Sequence, residues 1–169
     1  MRQILCYGDS NTYGLVPKEN ARYPWGIRWT SRLNEKLGLQ QYRVIEEGMC
    51  GRTTVFDDPF RDHRNGAKFV NAVLETHGAS DLIILMLGTN DCKTAYKTTP
   101  QLIGKGVATV IAKLRTFAPE LRSFAITVST PFPITCGVGD REDPKLCSGQ
   151  QDPACVTDPS GREGLGEIL

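Results

Sequence analysis

The chain contains no apolar stretch long enough to cross a bilayer as a helix or to form the core of a secretory signal. It runs from Met1-Arg2-Gln3 directly into a short apolar strand, and the expectation is a soluble, cytoplasmic protein. An excess of charge of one sign is also missing: 20 Lys and Arg against 19 Asp and Glu leave a formal charge of +1, with the basic residues scattered. Nothing here suggests a nucleic-acid face or a membrane-binding patch. Six cysteines are present, but CxxC spacing and partner histidines are not, which argues against a zinc site. Cys6, Cys50 and Cys92 fall at or beside expected strand ends, and Cys136, Cys147 and Cys155 lie in the last part of the chain. Reduced thiols are expected. Histidine is scarce, with His63 and His77 alone.

What is present is an alternation of strands and helices. At 169 residues the chain is long enough for one domain with a real core. Residues 3–7 form a short apolar run stopped by Gly8, which reads as a buried strand ending in a turn. After a polar and aromatic loop, Trp25, Trp29, Leu33 and Leu37 recur every four residues, predicting one helical face that ends at Gly38. A second strand is expected over 42–46, followed by Gly48 and Gly51, whose spacing lets backbone N–H groups face a common point. A polar loop over 55–66 precedes a helix from Ala67 to His77, with Gly78 as its stop.

Residues 81–87 read as the strongest strand. Six apolar residues in succession predict a strand covered on both faces, as in the middle of a parallel sheet. It ends in Gly88-Thr89-Asn90-Asp91. Thr99-Pro100 opens a helix in the cap-then-proline order, with a buried stripe of Ile103, Val107, Val110, Ile111 and Leu114 and an end near Ala118-Pro119. Residues 123–128 read as a fourth strand ended by Pro131 and Pro133. Four strand–helix alternations predict an α/β three-layer sandwich around a central parallel sheet, over residues 1–134. From Thr135 onward Gly and Pro recur, no aromatic residue follows Phe132, and an irregular 135–169 tail is expected. The sheet then lacks the last strand and helix expected to close it. One reading is a truncated or frame-shifted ending, which sequencing the coding DNA in its other frames would test.

The polar residues that follow the strands carry the chemistry. Ser10 sits just past the first strand, at the carboxyl edge where open parallel sheets bind ligands. Taken alone, Ser10 reads first as a helix cap, and Asn90 first as a turn residue. Together, Gly8-Asp9-Ser10, Gly51 and Gly88-Thr89-Asn90-Asp91 resemble the first three blocks of the GDSL/SGNH hydrolases. The runs Ile45-Glu46-Glu47-Gly48, Arg52-Thr53-Thr54, Asp57-Asp58-Pro59, Asn65-Gly66 and Met86-Leu87-Gly88-Thr89-Asn90-Asp91 resemble the arylesterase/acyltransferase branch, over roughly residues 3–134. The resemblance implies a flavodoxin-like sheet and a serine esterase acting on short-chain acyl or aryl esters. The implied partner is a small ester, the acyl group passing to water or to an alcohol, and no metal or organic cofactor is implied. That branch tends to form homo-oligomers, though no interface follows from these residues.

By the same resemblance, Ser10 is the nucleophile. The N–H groups of Ser10 and Gly51 and the side-chain amide of Asn90 form the oxyanion hole, while Asp9 and Asp91 hold loops. An amide suits position 90 because Asn donates where Asp would repel the developing charge. The chain departs from the family in one respect. The family's base is a His three residues after an Asp in a late block, and neither His63 nor His77 has that setting. His77 reads as a surface C-cap, and His63 lies in an Asp-rich loop as a substitute base at best. The residues therefore leave two readings open, an esterase with residual activity or a silent binding or regulatory domain. A nucleotide binder has little support, because Asp9 would repel a phosphate.

Overall fold

The computed structural model describes residues 1–118 and the strand Phe124–Val128. The expectations for Pro131, Pro133 and the 135–169 tail lie outside the described residues. Four parallel strands form one sheet: β1 (Arg2–Gly8), β2 (Tyr42–Gly48), β3 (Leu82–Leu87) and β4 (Phe124–Val128), in the order β2-β1-β3-β4. In register, Gly8 at the end of β1 lies beside Gly48 of β2 and Met86 of β3. The strand ends that carry the polar loops thus finish at one level. No described helix is long and apolar enough to cross a membrane.

Helices cover both faces. On one, α3 (Gly66–His77) and α4 (Pro100–Phe117) pack Val70, Leu74, Val107, Val110 and Leu114 against Leu5, Tyr7, Ile83, Leu85 and Leu87. On the other, α2 (Trp29–Leu37) lays Trp29, Leu33 and Leu37 over Ile4, Cys6 and Val44. Burying apolar surface at about 25 cal/mol per Å² makes these two layers the main favourable contribution to the fold. β3 is lined on both faces, as its unbroken apolar run requires, but unevenly. Ile83, Leu85 and Leu87 are fully buried, whereas Leu82 and Ile84 are only partly buried on the α2 side. The expected Thr99-Pro100 start of α4 is present, with the Thr99 hydroxyl accepting the Leu102 N–H at 3.3 Å.

Two local expectations are corrected. The helix read from Trp25 begins only at Trp29, and Trp25 stands 49% exposed in the turn before it. The cause is local. Gly26 adopts a φ of +89° and donates its N–H to Ser31 Oγ at 2.9 Å, while Arg28 stays extended as the cap. Cys6 is not at a strand end but inside β1, facing α2 as a buried free thiol.

Candidate active site

The turn that carries Ser10 is the short helix α1 (Ser10–Tyr13), and two glycines determine its seat. A Cβ on Gly48 would stand 2.0 Å from the Tyr13 nitrogen, and one on Gly8 2.0 Å from Thr12 Oγ1 and 2.9 Å from the Met86 carbonyl oxygen. Only hydrogen fits at these positions, so α1 lies directly against the ends of β1 and β2. Asp9 caps it, accepting the Asn11 N–H at 2.9 Å. Ser10 is partly exposed, and as the first helical residue its own N–H has no intrahelical acceptor.

Beside it runs a turn in which the Arg52 N–H bonds the Met49 carbonyl at 3.0 Å and the Met49 N–H bonds the Gly8 carbonyl at 3.1 Å. Its third residue, Gly51, is buried with a φ of +83°, a value that suits glycine. The third segment is a 3-10 turn over Thr89–Cys92. Asn90 Nδ2 donates to the Arg52 carbonyl at 3.1 Å, which leaves its second hydrogen with no partner among the described residues. Asp91 is fully buried and accepts the Thr54 N–H at 3.0 and 3.1 Å, along with the Thr54 hydroxyl.

Arg52 joins all three segments. Its guanidinium donates to the Gly8 carbonyl at 3.0 Å and to the Glu47 carbonyl, and lies 4.1 Å from the centre of the Tyr7 ring. It is 3% exposed, and burial pulls its pKa below the ordinary arginine value. Ser10, Gly51 and Asn90 are therefore on three loops that a single buried residue ties together at one sheet edge. Arg52 was legible in the sequence only as part of Arg52-Thr53-Thr54. An Arg directly after a turn glycine was the signal, but its acceptors, at positions 8 and 47, could not be read from spacing.

Asp9 and Asp91 hold loops, as expected. Burial pushes Asp9 up to about 6, against the lowering effects of the Asn11 N–H, the neighbouring Thr89 hydroxyl and the Arg52 charge, and Asp9 Oδ2 is buried without a hydrogen bond of ordinary geometry. Burial likewise raises Asp91, opposed by its bonds to Thr54. Cys50 and Cys92 are half-buried free thiols, both raised by burial. Among the described residues no three His, Cys, Asp or Glu side chains are grouped so as to hold a metal.

Neither histidine is joined to Ser10 by a described contact. His77 corrects its expectation: it is the last residue of α3, half-buried, with Gly78 as the cap, and its Nε2 lies 2.6 Å from Glu47 Oε1. That bond fastens α3 to β2. His63 is exposed, takes a φ of +67°, and sets its ring edge-on to Phe69 at 5.0 Å.

A cleft of about 270 Å³ opens next to Gly51, with Tyr13, Leu15, Met49 and Cys50 along it and Arg61 and Arg64 at one side.

The profile of the GDSL-like Lipase/Acylhydrolase family matches residues 6–147. Among solved structures, the chain is similar to a carbohydrate acetylesterase from Sinorhizobium meliloti (37% identity, TM-score 0.67) and to the native M. smegmatis aryl esterase (40% identity, TM-score 0.67). Each of these alignments covers 76% of this chain and 62% of the other. A carbohydrate acetylesterase family member from Sinorhizobium meliloti gives 37% identity and a TM-score of 0.72 over 78% of this chain and 64% of that one. The chain thus spans less than two thirds of the length of these proteins. No curated protein matches it.

Proposed function

Since this chain belongs to the GDSL-like lipase/acylhydrolase family, we propose that its sheet edge is the site of a serine ester hydrolase for short-chain acyl or aryl esters. Ser10 Oγ attacks the ester carbonyl carbon, and the Ser10 and Gly51 N–H groups and the free hydrogen of Asn90 stabilise the oxyanion. The carbonyl–alkoxy bond breaks and the alcohol leaves with the proton given up by Ser10 Oγ; water or a second alcohol then takes the acyl group and returns a proton to Oγ. Each oxyanion donor is worth about 3–4 kcal/mol in the transition state. The observation that carries this reading is the bond from Asn90 Nδ2 to the Arg52 carbonyl, with the Arg52 guanidinium on the Gly8 carbonyl two residues before Ser10. It orients the amide side chain of Asn90 and the nucleophile's loop from a common point. The acetylesterase and aryl esterase named above support ester chemistry in this fold.

Among the described residues no histidine is joined to Ser10 as a general base. With His77 held by Glu47 and His63 against Phe69, Ser10 stays protonated near neutral pH. Loss of a triad's base lowers kcat on the order of 10⁶-fold, and the oxyanion donors alone retain about 10³–10⁴ over water. The activity of this chain is accordingly residual. The second reading, a silent binding or regulatory domain, is favoured by the engagement of His77 with Glu47. Burst kinetics with p-nitrophenyl acetate separate the two. A Ser10-dependent acyl burst, absent in Ser10→Ala, supports the enzyme; identical rates for the two proteins support the silent domain.

A further inference from the structure

Resting on the esterase reading, we propose that the hairpin over residues 14–23 is a wall that limits how large a group lies beside Ser10, and that Glu46 is the positioning residue that holds it there. The hairpin is defined by its backbone. Tyr23 donates its N–H to the Gly14 carbonyl at 2.8 Å, Val16 donates to the Ala21 carbonyl at 3.0 Å, and Leu15 bridges Arg22 in antiparallel fashion. It also hangs from the nucleophile, since the Gly14 and Leu15 N–H groups bond the Ser10 carbonyl at 2.9 and 3.1 Å. Leu15, Asn20 and Ala21 line the 270 Å³ cleft, which Met49 and Cys50, in the turn before Gly51, line as well. A group attached to the reacting carbonyl and directed into this cleft therefore meets the hairpin.

Apolar burial does not fix this wall, because no residue from Leu15 to Trp25 is buried. One carboxylate does. Glu46 lies on β2, two residues beyond the core residue Val44 and so on the same face, where the sheet gives it a fixed position. Its Oε2 accepts from Arg22 Nη2 at 3.0 Å and from Arg28 Nη2 at 3.1 Å, and its Oε1 accepts from the Thr30 hydroxyl. The Glu46 side chain is only 11% exposed, so these bonds are poorly replaced by water. Arg22 holds the far end of the hairpin. Its Nε donates to the Tyr13 carbonyl at 2.7 Å, and its guanidinium lies 4.6 Å from the centre of the Tyr13 ring. Arg28 holds the near end, its stem lying against Gly14, where an added Cβ would stand 2.6 Å from Arg28 Cγ. Both ends of the wall thus lead to the same carboxylate.

A group too large for the cleft reacts only while the wall is displaced, so its kcat/KM scales with the displaced fraction. A group that fits does not depend on that fraction. Arg22→Gln removes one ion pair and leaves Arg28 and Thr30 on Glu46, whereas Glu46→Gln removes both pairs. Losing one partly exposed pair is expected to raise the displaced fraction about fivefold. In the rate arm, p-nitrophenyl acetate, butyrate and octanoate vary the acyl part, and phenyl and naphthyl acetate vary the alcohol part. The ratio of large to small kcat/KM is expected to rise about fivefold in Arg22→Gln, and further in Glu46→Gln, in the series whose group enters the cleft. In the exchange arm, the Val16 and Tyr23 amide protons are expected to exchange about fivefold faster in Arg22→Gln, with those of β3 unchanged. Should Glu46→Gln fail to fold, Arg22→Gln decides alone. Unchanged exchange at Val16 and Tyr23 overturns the proposal, and so does an effect of Arg22→Gln that a folded Glu46→Gln lacks. Faster exchange with unchanged ratios in both series overturns it too, in a protein whose Ser10→Ala variant has lost its burst; the esterase reading then survives alone. If Ser10→Ala hydrolyses every ester as fast as the parent, the esterase reading falls and the size limit falls with it.

Discussion

A carboxylate with no exposure and one oxygen short of an ordinary hydrogen bond has to show itself in the pH dependence of stability. Asp9 has a pKa of about 6 in the fold against an ordinary 3.8, because burial disfavours its charged form. The native state therefore holds this proton more tightly than the unfolded chain does. Its contribution to stability is complete below pH 3.8 and is lost as pH rises through about 6. Asp9→Asn keeps an oxygen to accept the Asn11 N–H but carries no charge. Urea unfolding is expected to show the variant gaining on the parent across that window, by on the order of 3 kcal/mol once Asp9 is ionised; parallel curves would refute the assignment. Gly51→Ala tests a different constraint. A φ of +83° costs an L-residue about 1–2 kcal/mol, and the same unfolding measurement is expected to show that loss. At this scale Ser10, Gly51 and Asn90 were legible because each follows a strand within a recognisable tripeptide or tetrapeptide. Arg52 was not, because its partners, the carbonyls of Gly8 and Glu47 and the Tyr7 ring, share no spacing pattern with it, and Trp25 misled because a four-residue spacing continues across a glycine that has left the helix.

Helices and strands here approach one another more closely than side chains ordinarily permit, and glycine explains where. α1 rests on Gly48, so Gly48→Ala must push the turn bearing Ser10 off the sheet, against backbone atoms 2.0–2.5 Å away. Overpacking of this kind costs about 1–3 kcal/mol or more. The expected signs are a lowered urea midpoint and displaced amide signals for residues 9–14. α4 supplies an internal comparison. Gly104 has nothing within 4 Å of where its Cβ would be, while at Gly106 that atom would stand 2.1 Å from Thr54 Oγ1, the hydroxyl that binds Asp91. Gly104→Ala is expected to raise stability by about 1 kcal/mol through helix propensity alone. Gly106→Ala is expected to reverse that sign, and two variants moving together in thermal unfolding would contradict the close approach. The order and type of the elements were legible from their periodicities. Close approaches were not, since a glycine in a helix has the same spelling whether it faces solvent or a neighbouring loop.

For the molecule as a whole, strand–helix alternation predicted the layered parallel sheet, and the strand order β2-β1-β3-β4 places the first strand between the two whose loops complete the site. The convergence of those loops could be foreseen from the sheet edge they share. The cleft beside Gly51 could not, because Leu15, Asn20 and Ala21 lie in a polar loop with nothing in its composition to mark a wall. The bond from the Thr54 amide to the enclosed Asp91 carboxylate has one more consequence. Loops at the rim of a domain usually trade their amide protons with solvent through small local openings. Thr54 cannot, because releasing its proton separates two segments that also meet through Arg52 and the first strand. In deuterated buffer its amide should keep pace with the slowest protons of the central strands, a slow clock set in a loop rather than in the sheet.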